Sequence, residues 1–174
     1  MKFKIQDLSA KDRYKFLTGS VVPRPIAWIT TRNSDESINL APFSYFSLVA
    51  TEVPIVSVAI NRNKGKLKDT SKNLLQTREC VIHIANHEFV EAMNASSMTL
   101  PYGESEVSKL NLETQSSVMI ETPSLKDVKI KLETVLVIKK LKMRMEYVQI
   151  CFYLKYFIWT LMIQFLSKRI VTSM

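Results

Sequence analysis

Two stretches decide the fold: Ser20-Val-Val-Pro-Arg-Pro-Ile-Ala-Trp-Ile-Thr-Thr31 and, past a polar turn, Asn39-Leu-Ala-Pro-Phe-Ser-Tyr-Phe46. Ile26 to Thr31 is rich in β-formers, Arg32 to Ser37 is polar and turn-prone, and Ile38-Asn-Leu resumes extended chain, so the segment predicts a β-hairpin. Pro23 and Pro25 fix φ on either side of Arg24 and hold its guanidinium at the entrance to the first strand. That placement suits an anion, but the residues alone favour the plainer reading of an edge strand with a solvated arginine. In the second stretch Pro42 removes one amide, leaving neighbouring N–H groups to face a ligand, and small Ala41 and Ser44 allow close approach.

Working outward, Phe43 to Ala50 and Pro54 to Ile60 read as further strands, the latter with Val56, Val58 and Ile60 on one face. Upstream, Asp7 to Leu17 is a short amphipathic N-terminal segment with Leu8 and Phe16 as apolar anchors and Ser9 and Asp12 weakly at capping-box spacing. Downstream, Lys68 to Arg78 has helical spacing around Leu74 and Leu75, with Asp69 or Thr70 as N-cap. Glu79 to Ala85 is a strand, and Glu88 to Asn94 a helix facing Phe89, Val90 and Met93 inward. Ser96 to Ser108 reads as loop. Val128 to Val137 alternates Val128, Ile130 and Leu132 against Lys129, Lys131 and Glu133, which predicts a half-buried strand. The sum is a mainly β, α+β domain, a barrel with helices as crossovers.

The chain of 174 residues, 47% hydrophobic and 23% charged, fits one globular domain, and 3 Gly with 6 Pro exclude collagen-like and low-complexity classes. Two cysteines, Cys80 and Cys151, make no disulfide framework, and Met1 to Phe16 has no apolar h-region, so a cytoplasmic location is expected. The net charge of +8 is uneven: residues 1 to 135 hold 17 Lys+Arg against 15 Asp+Glu, while the remaining 39 hold 7 against one acid, Glu146. The basicity belongs to the tail, and no nucleic-acid face is expected on the body. No P-loop, GxGxxG, GxSxG or HExxH occurs. His83 and His87 stand at i, i+4, but the pattern around His83 is a strand, so ordinary hydrogen bonding is expected rather than a metal site. Cys80 opens a buried strand as a small apolar filler. Asn61 to Thr70 places four cations before a helix N-terminus, which suits a phosphate, although charge runs in loops are often simply solvated.

The string from Gly19 to Phe46, then Val53-Pro-Ile-Val-Ser-Val-Ala-Ile-Asn-Arg62, Lys68-Asp-Thr-Ser-Lys-Asn73 and Glu91-Ala-Met-Asn-Ala-Ser-Ser97, closely resembles the flavin reductase-like, FMN-binding split-barrel family, flavoredoxins included. The match runs in order from about Arg13 to Leu136. The resemblance implies a Greek-key split β-barrel, usually a homodimer, holding FMN near the subunit interface with NADH or NADPH as reductant. By that resemblance Arg24, Trp28, Thr30 and Thr31 would line the flavin site from the first hairpin. Asn39, Leu40, Ala41, Pro42, Phe43 and Ser44 would face the ring and ribityl chain through backbone groups. Asn61, Arg62, Lys68, Asp69 and Thr70 would surround the phosphate. No acid–base residue is implied, because hydride passes directly between nicotinamide and flavin. The expected activity is NAD(P)H-dependent flavin reduction; the alternative is a non-catalytic flavin-binding electron carrier, membrane-tethered by the tail.

The tail, residues 137 to 174 beyond a body of 1 to 136, departs from that pattern. From Leu136 onward there is no Gly, Pro, Asp, Asn, Ala or His, and seven of the chain's 16 aromatics fall there. The apolar run Tyr147 to Leu166 has the length of a membrane helix, although Lys155 at its centre costs about 2.5–3.5 kcal/mol on insertion. A shifted reading frame is the favoured explanation. Joining the third base of each codon to the first two of the next, Met145-Glu146 must encode Gly, Phe152-Tyr153 Leu, and Trp159-Thr160 and Met162-Ile163 Asp. The lost Gly and Asp thus return in the other frame, and the family's closing strands would have been replaced. A genuine variant pair of strands is the third reading.

Overall fold

The computed structural model describes residue 2, residues 4–139 and residues 150–161. Among the described residues nine strands form in chain order: β1 (Ala27–Arg32), β2 (Ile38–Phe43), β3 (Phe46–Ala50), β4 (Ile55–Ile60), β5 (Glu79–Ile84), the short β6 (Thr114–Gln115) and β7 (Ser124–Leu125), β8 (Ile130–Lys139) and β9 (Ile150–Leu161). Seven of them make one antiparallel sheet in the order β2-β1-β5-β8-β9-β4-β3, and β6 pairs only with β7. Its edge strands β2 and β3 follow one another in the chain with only Ser44 and Tyr45 between them, so the expected single strand from Phe43 to Ala50 is broken by a corner. Period-2 alternation turns one face of every long strand inward. Ile29, Phe43, Val58, Ile82, Leu132 and Phe152 meet in one core together with Leu74 of helix α2 (Asp69–Thr77). The sheet therefore curls around a shared interior, while its edges stay unpaired with each other among the described residues. This is a split barrel rather than a closed one.

The helical expectations hold in outline with specific corrections. Helix α1 (Ala10–Ser20) begins at Ser9, whose hydroxyl oxygen accepts from the Asp12 amide at 3.1 Å. It buries no residue, and Phe16, expected as an apolar anchor, is 47% exposed. The N-cap of α2 is Lys68 rather than Asp69 or Thr70; both lie inside the helix, Asp69 paired with Lys72 and Thr70 Oγ1 accepting from Asn39. A 3-10 turn (His87–Phe89) leads into α3 (Val90–Ala95), and Val90 is exposed. The expected loop from Ser96 to Ser108 carries the start of one more short helix, α4 (Glu106–Lys109).

The outer face of β1, β2 and β5 is also covered, by a second cluster of Trp28, Leu40, Val107, Leu125 and Val128 with Phe89 and Met93. The strand read as half-buried, β8, is accordingly covered on both faces near Lys131 and Glu133. Glu133 accepts from the Val118 and Met119 amides, and Lys131 donates to the Lys126 carbonyl at 2.6 Å, so buried charge is matched by backbone groups of the covering segment. Residues 150–161, within the run of membrane-helix length, are strand β9. It is bonded to β8 on one side and β4 on the other, with Phe152 and Leu154 in the core. The remainder of that run lies outside the described residues. Among the described residues no helix is long and apolar enough to cross a membrane.

At one end of the barrel, buried polar groups fasten α2 to the first hairpin. Asn39 donates through Nδ2 to Thr31 Oγ1 at 3.1 Å and to Thr70 Oγ1 at 2.9 Å. Asn73 donates to the same Thr31 Oγ1 at 3.0 Å and to Asn33 Oδ1 at 2.7 Å. Cys80 is the filler expected, its thiol pushed up to about 12 by burial.

His83 lies fully buried beneath Trp28, its ring bonded on both sides: Nδ1 to the Trp28 carbonyl and Nε2 to the Leu125 amide, each at 2.9 Å. A carbonyl only accepts and an amide N–H only donates, so Nδ1 carries the proton and Nε2 is the acceptor. Burial pushes its pKa down to about 3, so the ring is neutral in the fold. Between pH about 6.5 and about 3 the unfolded chain binds a proton that the folded chain does not, so His83 draws stability down as pH falls. The expected slope is about 1.4 kcal/mol per pH unit. Urea unfolding of wild type and His83→Gln from pH 7 to pH 4 should show that component disappear in the variant, whose amide cannot be protonated there.

Candidate functional site

A turn, a helix start and an edge strand build the candidate site. The turn is Lys64-Gly65, both at positive φ (48° and 77°), closed by paired backbone bonds of 2.9 Å between Asn63 and Lys66. Glycine suits the second position because a residue with a Cβ is strained at that φ, although the space around it is open. The turn returns the chain so that Lys66 and Lys68 both line the cavity at the start of α2. The helix's first backbone bond runs from the Lys72 amide to the Lys68 carbonyl, so the amides of Asp69, Thr70 and Ser71 have no acceptor within the helix. Lys68 itself supplies no side-chain cap.

In front of this helix start lies a cavity of about 520 Å³ whose lining includes Asn39, Ala41, Pro42, Asn63, Lys66, Lys68, Asp69, Thr70, Ser96, Ser97, Tyr102 and Glu106. A second depression of about 200 Å³, lined by Tyr14, Thr18, Arg24, Pro42, Phe43, Ser44, Tyr45, Asn61 and Lys68 among others, shares Pro42 and Lys68 with it. The Lys68 ammonium stands 5.7 Å from the Phe43 ring centroid, a cation–π distance. Lys72 is paired with Asp69 at 2.8 Å and sits over the Tyr102 ring. A third cavity, also about 520 Å³, lies at Arg32, Glu79 and Val118 to Glu121, but its cation is occupied: the Arg32 guanidinium pairs with both Glu36 and Glu121.

Of the residues assigned by resemblance, the two adjoining depressions bring together Arg24, Asn39, Ala41, Pro42, Phe43, Ser44, Asn61, Lys68, Asp69 and Thr70. The others lie elsewhere. Trp28 is fully buried on the outer face, its indole N–H donating to Ser96 Oγ at 2.8 Å, and Thr30 is buried and donates to the Pro123 carbonyl. Thr31 lies beneath the site as the shared acceptor for Asn39 and Asn73. Leu40 is buried, with its amide donated to Glu106 Oε2 at 2.9 Å. Arg62 donates to the Gly65 carbonyl. The Arg24 guanidinium closes the end of α1, with Nη1 donating to the Thr18 carbonyl at 2.6 Å and to the Val21 carbonyl, and Nε reaching Ser44 Oγ at 3.4 Å. A cation at a helix C-terminus is favoured by the dipole, so the Arg24 fixed between two prolines seats α1 at the rim.

Sequence reasoning missed Ser96, Ser97, Tyr102 and Glu106. They come from a stretch read as loop, and only the packing of Trp28 on Ser96 and of Glu106 on Leu40 brings it to the cavity. Burial pushes the Glu106 carboxyl above its usual range, the Leu40 amide opposes that, and nearby Asp69 adds to it.

Comparison with known proteins adds an independent line. Residues 18–146 match the family described as flavin reductase like domain, ten residues beyond the body read from resemblance. The uncharacterized Bacillus subtilis protein YwrF is 37% identical over 131 residues, which are 75% of this chain and 64% of YwrF. The chain thus matches less than two thirds of that relative's length. The crystal structure of nitrilotriacetate monooxygenase component B from Bacillus cereus superposes with a TM-score of 0.88 at 32% identity, covering 92% of this chain and 81% of that one. A Shewanella frigidimarina chain described as having a split barrel domain superposes with a TM-score of 0.79 at 18% identity, covering 92% and 80%, and shows the fold alone. With about three-quarters of its residues inside the family match and the same curled sheet as these structures, the chain belongs to the flavin reductase like domain family.

Proposed function

We propose that the chain is an FMN-binding, NAD(P)H-dependent flavin reductase. The observation that carries the reading is the meeting of the 520 Å³ cavity with the start of α2 at Lys68, in a chain of this family. The donor set fits FMN. Three helix-start amides with Lys66 and Lys68 suit a phosphate, and the stretch Ala41 to Ser44, with one amide absent at Pro42, suits close approach of a flat ring. When bound, flavin supplies the hydride acceptor for the nicotinamide. The chain's own residues bind and orient: Lys68 neutralises the phosphate at the junction of the two depressions, and Asn39 holds Thr70 and so the helix start in place. Arg24 fixes α1 at the rim of the smaller depression, where Tyr14 and Thr18 narrow it.

A cytoplasmic homodimer belongs to the same reading. Exposed apolar side chains at Tyr14, Phe16 and Leu17 on α1, and at Leu48, Val49 and Val53 around the β3–β4 turn, offer a surface for a second copy. The Bacillus cereus relative's name, component B of a monooxygenase, suits a protein that hands reduced flavin to another component. For the tail we propose a shifted frame within residues 137–174. In support, Gly, Pro, Asp and Asn vanish after Leu136; against it stands β9, which in the given frame pairs with β8 and β4 and sends Phe152 and Leu154 into the core, as a genuine variant strand would. The nucleotide sequence of the codons for Glu133 to Lys142 tests it: a one-base change that restores Gly and Asp downstream is expected, and an intact frame shared by related genes contradicts it.

NADH and NADPH oxidation with added FMN tests the activity. Turnover with exchangeable flavin is expected, whereas tightly held flavin without turnover assigns an electron carrier instead. Lys68→Ala should weaken FMN binding by about 1.5–3 kcal/mol, the range for a lost charge-assisted bond. Lys64→Ala, at the tip of the turn and outside the cavity lining, should cost much less. Fluorescence titrations giving equal losses for the two variants would move the phosphate away from the start of α2.

A further inference from the structure

Two carboxylates line the larger cavity, and they are held differently. Asp69 is paired with Lys72 at 2.8 Å. Glu106 makes no salt bridge among the described residues, although it is only 6% exposed. Its immediate contact is structural. β2 is an edge strand, and its outward backbone groups are taken by side chains from the start of α4: Ser105 Oγ donates to the Ile38 carbonyl at 2.6 Å, and Glu106 Oε2 accepts from the Leu40 amide at 2.9 Å. That protects the edge against pairing with another strand. Capping the edge needs only a neutral acceptor, however, and a buried carboxylate whose one helpful cation, Lys109, is itself paired with Glu104 is a costly way to provide one. An ionised carboxylate offers about four acceptor positions. The Leu40 amide engages part of that capacity, and Glu106 is among the residues that line the cavity.

A phosphate placed directly against Glu106 would be repelled, so the group it faces must bring hydrogen-bond donors. We propose that Glu106 is a specificity-determining residue of the cleft, accepting a hydrogen bond from a sugar or sugar-alcohol hydroxyl adjacent to a phosphate held at the start of α2. The inference rests on the flavin reading above. Two ligands of that reading carry such a hydroxyl next to a phosphate: the ribityl chain of FMN and the ribose of the nicotinamide nucleotide. Burial of the carboxyl, which raises its affinity for a proton, means that an incoming hydroxyl donor is also what favours its ionised form.

The test is Glu106→Gln, which keeps the size and the acceptor for the Leu40 amide but replaces the cavity-facing acceptor capacity with an N–H₂ donor. FMN and lumiflavin, the same ring bearing a methyl group in place of the sugar alcohol, are titrated against both chains by fluorescence quenching. If the hydroxyl is ribityl, the variant binds FMN about tenfold more weakly and lumiflavin within twofold of wild type. If it is ribose, both flavins bind as before, and with FMN saturating, the KM for NADH rises about tenfold at unchanged kcat. Equal losses for FMN and lumiflavin, or no change in either together with an unchanged KM, overturn the proposal while leaving the flavin reading intact. A wild-type chain that binds neither flavin overturns both. Should the variant not fold, the ligands carry the test on wild type. Removing the hydroxyls from the flavin side chain or from the nicotinamide ribose must weaken binding about tenfold in one of the two, and no loss in either overturns the assignment.

Discussion

Thr31 Oγ1 receives two buried amide donors, Nδ2 of Asn39 from β2 and Nδ2 of Asn73 from α2, and the cleft depends on that shared acceptor. Through it the first hairpin and the helix are held in one geometry. Leaving any of these amides unsatisfied would cost about 1–3 kcal/mol, so each discourages the others from moving. Because Asn39 also donates to Thr70, the first turn of α2 and the residues beside Asn39 on β2 are located relative to one another before any ligand arrives. Preorganisation of this kind removes part of the ordering cost of binding. The Oδ1 of Asn73 is buried without a partner among the described residues, so the junction carries one unmet acceptor.

The outer layer explains how so much polar surface is tolerated inside a small domain. Glu79 accepts from the Thr122 amide and hydroxyl, Glu133 from the Val118 and Met119 amides, and His83 from the Leu125 amide. Side chains on the outer faces of β5 and β8 thereby provide the hydrogen bonds that a long covering segment with little sheet of its own would otherwise lack. The same segment brings Ser96, Ser97 and Glu106 to the cavity. Stability on the outer face and composition of the cleft are therefore coupled through one stretch of chain, from Asn86 to Val128.

The strands whose burial is one-sided were legible from alternation: Val56, Val58 and Ile60 of β4 are buried as the spacing predicts. Where both faces are covered, alternation misleads, as Lys131 and Glu133 show, because their charge is matched by backbone groups that a pattern of side chains cannot reveal. The central position of β9 was also not legible, since an apolar aromatic run without turn residues fits a helix or a strand until its neighbours are known. At the site, the helix start at Lys68 and the small-residue stretch at Ala41 to Ser44 could be read locally, being consequences of nearby sequence. Trp28 and Thr30 could not be separated from the cleft, because the alternation that sends Ile29 inward sends both of them under the outer layer. Glu106 escaped notice because its role arises from a contact 66 residues away along the chain.

Amide hydrogen exchange with and without FMN tests the central claim most directly, since it reports on the backbone groups said to receive the ligand. The account predicts slowed exchange at Asp69, Thr70 and Ser71 at the start of α2 and at Ser44, with little change at Val118 to Glu121 beside the Arg32 cavity. Protection confined to Val118 to Glu121, or none at the start of α2 under saturating FMN, would contradict it.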